Sequence, residues 1–86
     1  MSAAVLPVRP SSRSPFERAA LVPGWTTARW GYDGVLECFW AELVGPRGEV
    51  VRIGPEHLLT TVTALARALA VSARVPEDEA YLALTA

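Results

Sequence analysis

Between Thr26 and Ile53 apolar and polar residues alternate over three short runs, and two turn signals separate the runs. A period of two sends successive side chains to opposite faces of a strand. Tyr32-Asp33-Gly34-Val35 is an Asp-Gly pair between alternating apolar residues, the signature of a two-residue hairpin loop. Gly45-Pro46-Arg47-Gly48 puts Pro at the second turn position and Gly where a left-handed residue is needed. That pattern fits a type I turn closed by a G1 bulge. The segment therefore predicts a three-stranded antiparallel meander.

Turn geometry fixes register, and register decides which side chains share a face. The two-residue loop would pair Tyr32 with Val35, Trp30 with Glu37 and Ala28 with Phe39. The bulged turn would pair Gly45 with Glu49, Leu43 with Val51 and Glu42 with Arg52. One face then carries Ala28, Trp30, Tyr32, Val35, Phe39, Ala41, Leu43, Val51 and Ile53, with Glu37 as its odd member. This is the expected core face. The other carries Arg29, Leu36, Cys38, Trp40, Glu42, Val44, Val50 and Arg52, a mixed surface in which three charges frame a Trp.

Helical signals flank the meander. Ser14-Pro15-Phe16-Glu17 has the form of a capping box with Pro at the first helical position. It predicts a short helix to about Leu21, ended by Pro23-Gly24, with Phe16, Ala20 and Leu21 toward the body. Gly54-Pro55-Glu56 starts the main helix, with Gly at the cap, Pro at its first position and an acid in the first turn. Leu58, Leu59, Val62, Leu65, Ala66 and Leu69 recur at the helical period to about Val71, with Thr60, Thr63 and Arg67 on the other side. After a connection over 72–75, Pro76-Glu77-Asp78-Glu79 opens a short last helix carrying Tyr81, Leu82 and Leu84; a terminal strand is the alternative. The predicted fold is α+β: a three-stranded antiparallel meander, one long helix packed on one face, and short N- and C-terminal helices. Residues 1–13, broken by Pro7 and Pro10, read as a flexible lead-in to a single domain over 14–86. Pro7-Val8-Arg9-Pro10 also fits a P-x-x-P pattern.

Composition narrows the class. In 86 residues, 51% are hydrophobic and the mean hydropathy is +0.25, which is more apolar surface than one small core hides. The surplus favours a dimer or a dedicated partner. The formal net charge is −1, and every basic residue is Arg; Lys, Asn and Gln are absent and Ile occurs only at Ile53. Such usage matches codon bias in a GC-rich bacterial genome. The charge balance lacks the basic footprint of a nucleic-acid binder. The N-terminal apolar run is too short for a signal peptide, and Arg67 and Arg74 interrupt the most apolar later stretch, so no membrane span is expected and the cytoplasm is the expected location.

Candidate chemistry is sparse. Cys38 is the only cysteine, which leaves no disulfide or cysteine-based zinc pattern, and it reads as a small buried hydrophobe. His57, the only histidine, lies at a helix start beside Glu56 and reads as a surface or capping residue. Glu37 and Glu42 fall on opposite faces, so they form no acid–base pair. Glu42 opposite Arg52 is a cross-strand ion pair, Asp33 a turn residue, and Glu77-Asp78-Glu79 a charge run suited to a helix N-terminus. No phosphate loop, nucleophile elbow or metal-ligand spacing occurs, and no cofactor or enzymatic activity is expected.

The second sheet face carries the functional expectation. Arg29, Trp40, Glu42 and Arg52 form a candidate partner-binding site, since Trp and Arg anchor protein interfaces. The chain therefore reads as a small adaptor or regulatory protein acting by protein–protein contact, homodimeric through its sheet. A nucleic-acid-binding regulator using Arg29, Arg52 and Trp40 ranks below it, because the phosphate-neutralising charge is missing. An accessory enzyme subunit, with Glu56 and His57 at the seam, is the remaining alternative.

Overall fold

Turn chemistry builds a sheet of four strands. A computed structural model describes residues 15–86; the expected lead-in over 1–13 with its P-x-x-P motif, and Ser14 of the expected cap, lie outside the described residues. Strands β1 (Phe16–Ala20), β2 (Thr27–Asp33), β3 (Cys38–Val44) and β4 (Val50–Ile53) pair antiparallel in chain order. A single 3-10 turn (Pro55–His57) and helices α1 (Val62–Ala73) and α2 (Glu77–Thr85) follow. The α+β class is as expected, with one strand more and one helix fewer.

The extra strand replaces the helix predicted from Ser14 to Leu21. Pro23-Gly24 is not a helix terminator but the centre of a turn: the Trp25 N–H donates to the Val22 carbonyl at 3.1 Å, and Gly24 has φ +87°. Pro followed by a left-handed Gly is the type II pattern. The turn leads β1 back along β2, from Ala20 opposite Ala28 to Phe16 opposite Tyr32. A helix of two turns is marginal alone, whereas the strand lays Phe16 edge-on against Trp30, with ring centroids 5.1 Å apart. Leu21, expected to face the body, is 91% exposed.

The β2–β3 hairpin departs from the expected register by four residues: Tyr32 meets Phe39 rather than Val35, and Trp30 meets Ala41. Asp33 is not a turn centre. It pairs with Cys38, and its Oδ1 accepts the Val35 and Leu36 N–H groups at 2.9 and 3.0 Å. Residues 34–37 form the loop, with Glu37 supplying the left-handed residue at φ +57°. A displacement by an even number keeps every side chain on its face. Ala28, Trp30, Tyr32, Phe39, Ala41, Leu43 and Ile53 are therefore buried as expected. Val35, expected in the core, is 84% exposed at the hairpin tip, and Glu37 leaves the core face altogether. The second turn forms as predicted, with Leu43 opposite Val51, Glu42 opposite Arg52, the Gly45 N–H bonded to the Glu49 carbonyl, and Gly48 at φ +84°.

The main helix begins later than Gly54-Pro55 predicts. The 3-10 turn ends at Leu58, which adopts φ +57° and breaks the helical path. The next carbonyl, Leu59, accepts the Phe39 N–H at 2.7 Å. Phe39 lies just past the end of β4, so Leu59 stands in for the missing strand partner, and its carbonyl is not free for a helical bond. Thr61 then caps α1, its Oγ1 accepting the Ala64 N–H at 3.0 Å. Leu65, Ala66 and Leu69 face the sheet, and Leu43, Leu65 and Leu69 are the largest fully buried side chains. Arg74 ends α1 in the left-handed conformation. Residues 77–85 take the helical option over the strand, burying Ala80 and Leu84 while Tyr81 and Leu82 stay exposed.

Leu58 pairs a left-handed backbone with a side chain 73% exposed, so its conformation costs about 1 kcal/mol that burial does not offset. Leu58→Gly is expected to raise the thermal midpoint by a few degrees in a calorimetric scan. A lowered midpoint would contradict this reading of the crossover.

Candidate functional site

Both helices pack on the Trp30–Phe39–Leu43 side, leaving the other side of the sheet uncovered by either helix. The strand register places Arg29, Glu42 and Arg52 directly opposite one another across β2, β3 and β4. Arg29 Nε and Nη2 both donate to Glu42 Oε1, at 3.1 and 2.8 Å. Arg29 Nη1 donates to Glu17 Oε2 on β1 at 2.8 Å, and Arg52 Nε lies 3.5 Å from Glu42 Oε2. Arg29, Glu42 and Arg52 thus form a straight row, and Glu17, which lies opposite Gly31 one level along the strands, joins it diagonally through Arg29, so that ion pairs of alternating charge link all four strands. The Arg29 pKa is raised by its hydrogen bonds to Glu42 and then Glu17, so its guanidinium is held charged.

Trp40 occupies the next position along β3, opposite Gly31. A Cβ on Gly31 would lie 2.8 Å from Trp40 Cζ2 and would also collide with the Phe16 carbonyl. The indole therefore rests against the backbone of β2, which only glycine permits. Arg29 Cζ is 5.9 Å from the ring centroid on the same face. Trp40 is half-buried.

All four residues expected at the site line one shallow cleft of about 240 Å³, which runs from Arg29 and Trp40 past Glu42 and Arg52 to Pro55. Two participants escaped the sequence reading. Glu17 was expected in a helical cap, so its place in the row follows only once residues 16–20 are a strand. Gly31 carried a usable signal, since an isolated Gly inside a strand marks close approach by another group.

The remaining candidates do not line this cleft. Cys38 is buried beside the hairpin loop, with its thiol donating to the Leu36 carbonyl at 3.2 Å. His57 is exposed, with Nδ1 3.2 Å from the Gly54 carbonyl oxygen and 4.0 Å from Glu56 Oε2. Arg67 pairs with Glu77 at 3.6 Å, which ties the charge run at the start of α2 to α1. Among the described residues no three of His, Cys, Asp and Glu gather as a metal site, and no helix is long and apolar enough to cross a membrane. Compared with protein families, curated proteins and solved structures, the chain matches none.

Two stability predictions follow from this geometry. Gly31→Ala should destabilise the fold by about 1–3 kcal/mol in urea titration, because Trp40 and the β1 backbone must both shift. Glu42 touches both arginines and is the most sheltered carboxylate of the row, at 26% side-chain exposure. Glu42→Ala should cost about 0.5–1 kcal/mol, more than Glu17→Ala, with the difference shrinking in high salt.

Proposed function

We propose that this protein is a small, non-enzymatic adaptor or regulator that acts by protein–protein contact, with the outer sheet face as its interface and a second copy of itself as partner. The observation that carries the reading is the uncovered face itself, where Trp40 sits on Gly31 beside a fixed charge row. Trp and Arg are the residues that most often dominate interface energetics. Trp40 and Arg29 already make contacts within the monomer, which lowers the ordering entropy lost on association.

The same geometry counts against nucleic acid as the partner. Arg29 is held by two carboxylates and Arg52 by one, so the row is neutral overall. Phosphate binding would have to displace those carboxylates, and the protein's net charge supplies no long-range attraction.

Multi-angle light scattering at high micromolar concentration should give the mass of a dimer. Trp40→Ala should weaken that dimer by about tenfold or more without unfolding the chain, as loss of a central aromatic anchor does. A wild-type monomer throughout this range would sink the self-association reading.

A further inference from the structure

The last strand of the sheet leaves part of its backbone open. We infer that β4 takes up an extended peptide segment of a partner protein as a fifth strand, and that it selects the sequence apolar–acidic–apolar. This site meets the Trp40 cleft at Arg52 and does not depend on a second copy occupying the outer face.

The hydrogen-bond phase along β3 and β4 identifies the open groups. The Gly45 N–H donates to the Glu49 carbonyl at 2.8 Å, so Gly45 and Glu49 are a hydrogen-bonded pair. In an antiparallel ladder such pairs alternate with pairs that exchange no bond. Leu43–Val51 and Ala41–Ile53 therefore carry the next bonds, and Val44–Val50 and Glu42–Arg52 carry none. Phe39 obeys the same phase, since its N–H points to the β4 side, where the Leu59 carbonyl accepts it. The N–H and C=O of Val50 and Arg52 thus point away from β3, toward an edge that no other described strand occupies. A strand added there would exchange both main-chain bonds with Arg52, which is how open sheet edges bind extended peptides.

What flanks this edge sets the side chains. A groove of about 500 Å³ lies between the end of β4 and α1. Ile53 and Leu59 line it from the sheet, and Ala64 and Ala68, one turn apart on α1, keep it open. Val71, 78% exposed, continues the apolar lining. The added residue opposite Arg52 shares the outward face of Arg52, while its two neighbours point to the helix side and enter the groove. Those neighbours are therefore apolar.

Arg52 selects the residue between them. It is the outermost member of the charge row, with a side chain 76% exposed, and it lies 3.5 Å from Glu42 where Arg29 lies at 2.8 Å. A carboxylate opposite it would extend the alternation of charge by one strand. Arg67 adds a second positive charge to the lining of the groove, and no acidic side chain lines it. The sheet's other outer strand, β1, also borders an apolar groove, but the ionic side chain there is Glu79. Charge thus directs an acidic strand to β4.

The fluorescein-labelled peptide Ser-Thr-Val-Glu-Val-Thr-Ser serves as probe, titrated with the full chain by fluorescence polarisation. Saturable binding is expected, weakened about tenfold or more when Arg replaces the probe's Glu. Methylating the Glu nitrogen should weaken it similarly, because that N–H bonds to the Arg52 carbonyl. Methylating the nitrogen of the following Val, which points away from β4, should cost no more than a few-fold. This alternation is the signature of an added strand and requires no change to the protein. Ala68→Glu should remove binding, Leu82→Glu in the β1 groove should leave it unchanged, and Arg52→Glu should make the Arg-containing probe the tighter ligand. No saturation with protein up to about 1 mM would overturn the site. Equal sensitivity to methylation at both nitrogens would overturn it as well, and so would loss of binding in L82E with retention in A68E.

Discussion

The pairing of β2 with β3 governs the rest of the domain. These are the two longest strands, and each has a neighbour on its other edge. Their register sends Trp30, Tyr32, Phe39, Ala41 and Leu43 inward, where Leu65 and Leu69 of α1 close over them. The same register sends Arg29, Gly31, Trp40 and Glu42 outward. A slip of one residue would exchange the two sets, burying a guanidinium and a carboxylate and exposing five aromatic or aliphatic side chains. Core and candidate interface are therefore one decision read from two sides. Asp33 enforces it locally, by holding two loop N–H groups on one carboxylate oxygen.

Much of this was legible because faces depend on parity alone. The Asp-Gly pair misplaced the hairpin loop, yet the displacement was even, so all four expected site residues still share one face. The anomaly of Glu37 on an apolar face was itself a trace of the true register, since the longer loop removes it. The first strand was illegible for a different reason. Phe-Glu-Arg-Ala-Ala has no clear alternation, and its preceding residues imitate a helical cap, so only pairing with β2 decides its state. At Leu58 and Leu59 the deciding contact is a carbonyl reaching Phe39, twenty residues earlier in the chain. Local propensity carries no record of such a bond.

Within the monomer, the charge row adds little to stability. Exposed ion pairs of this kind contribute fractions of a kcal/mol. Its significance lies in order: each long side chain is paired with a neighbour on the next strand, so the face presents opposite charges in alternation. Gly31 plays the corresponding part for Trp40 by letting the indole lie down against the backbone. An alanine there would lift an aromatic ring away from the surface whose shape it sets.

The order of the strands has a kinetic consequence. Each strand pairs with its successor, and the two helices also pack on each other, so most native contacts join residues close in the chain. Such topologies close short loops first and fold quickly for their size. The docking of the helical hairpin against the finished sheet spans a longer stretch of chain. It is marked by the Trp25 indole N–H, which donates to the Ala73 carbonyl 48 residues away at 3.2 Å. That indole sits where the helical hairpin meets the sheet, so its environment reports that docking rather than the pairing of the strands.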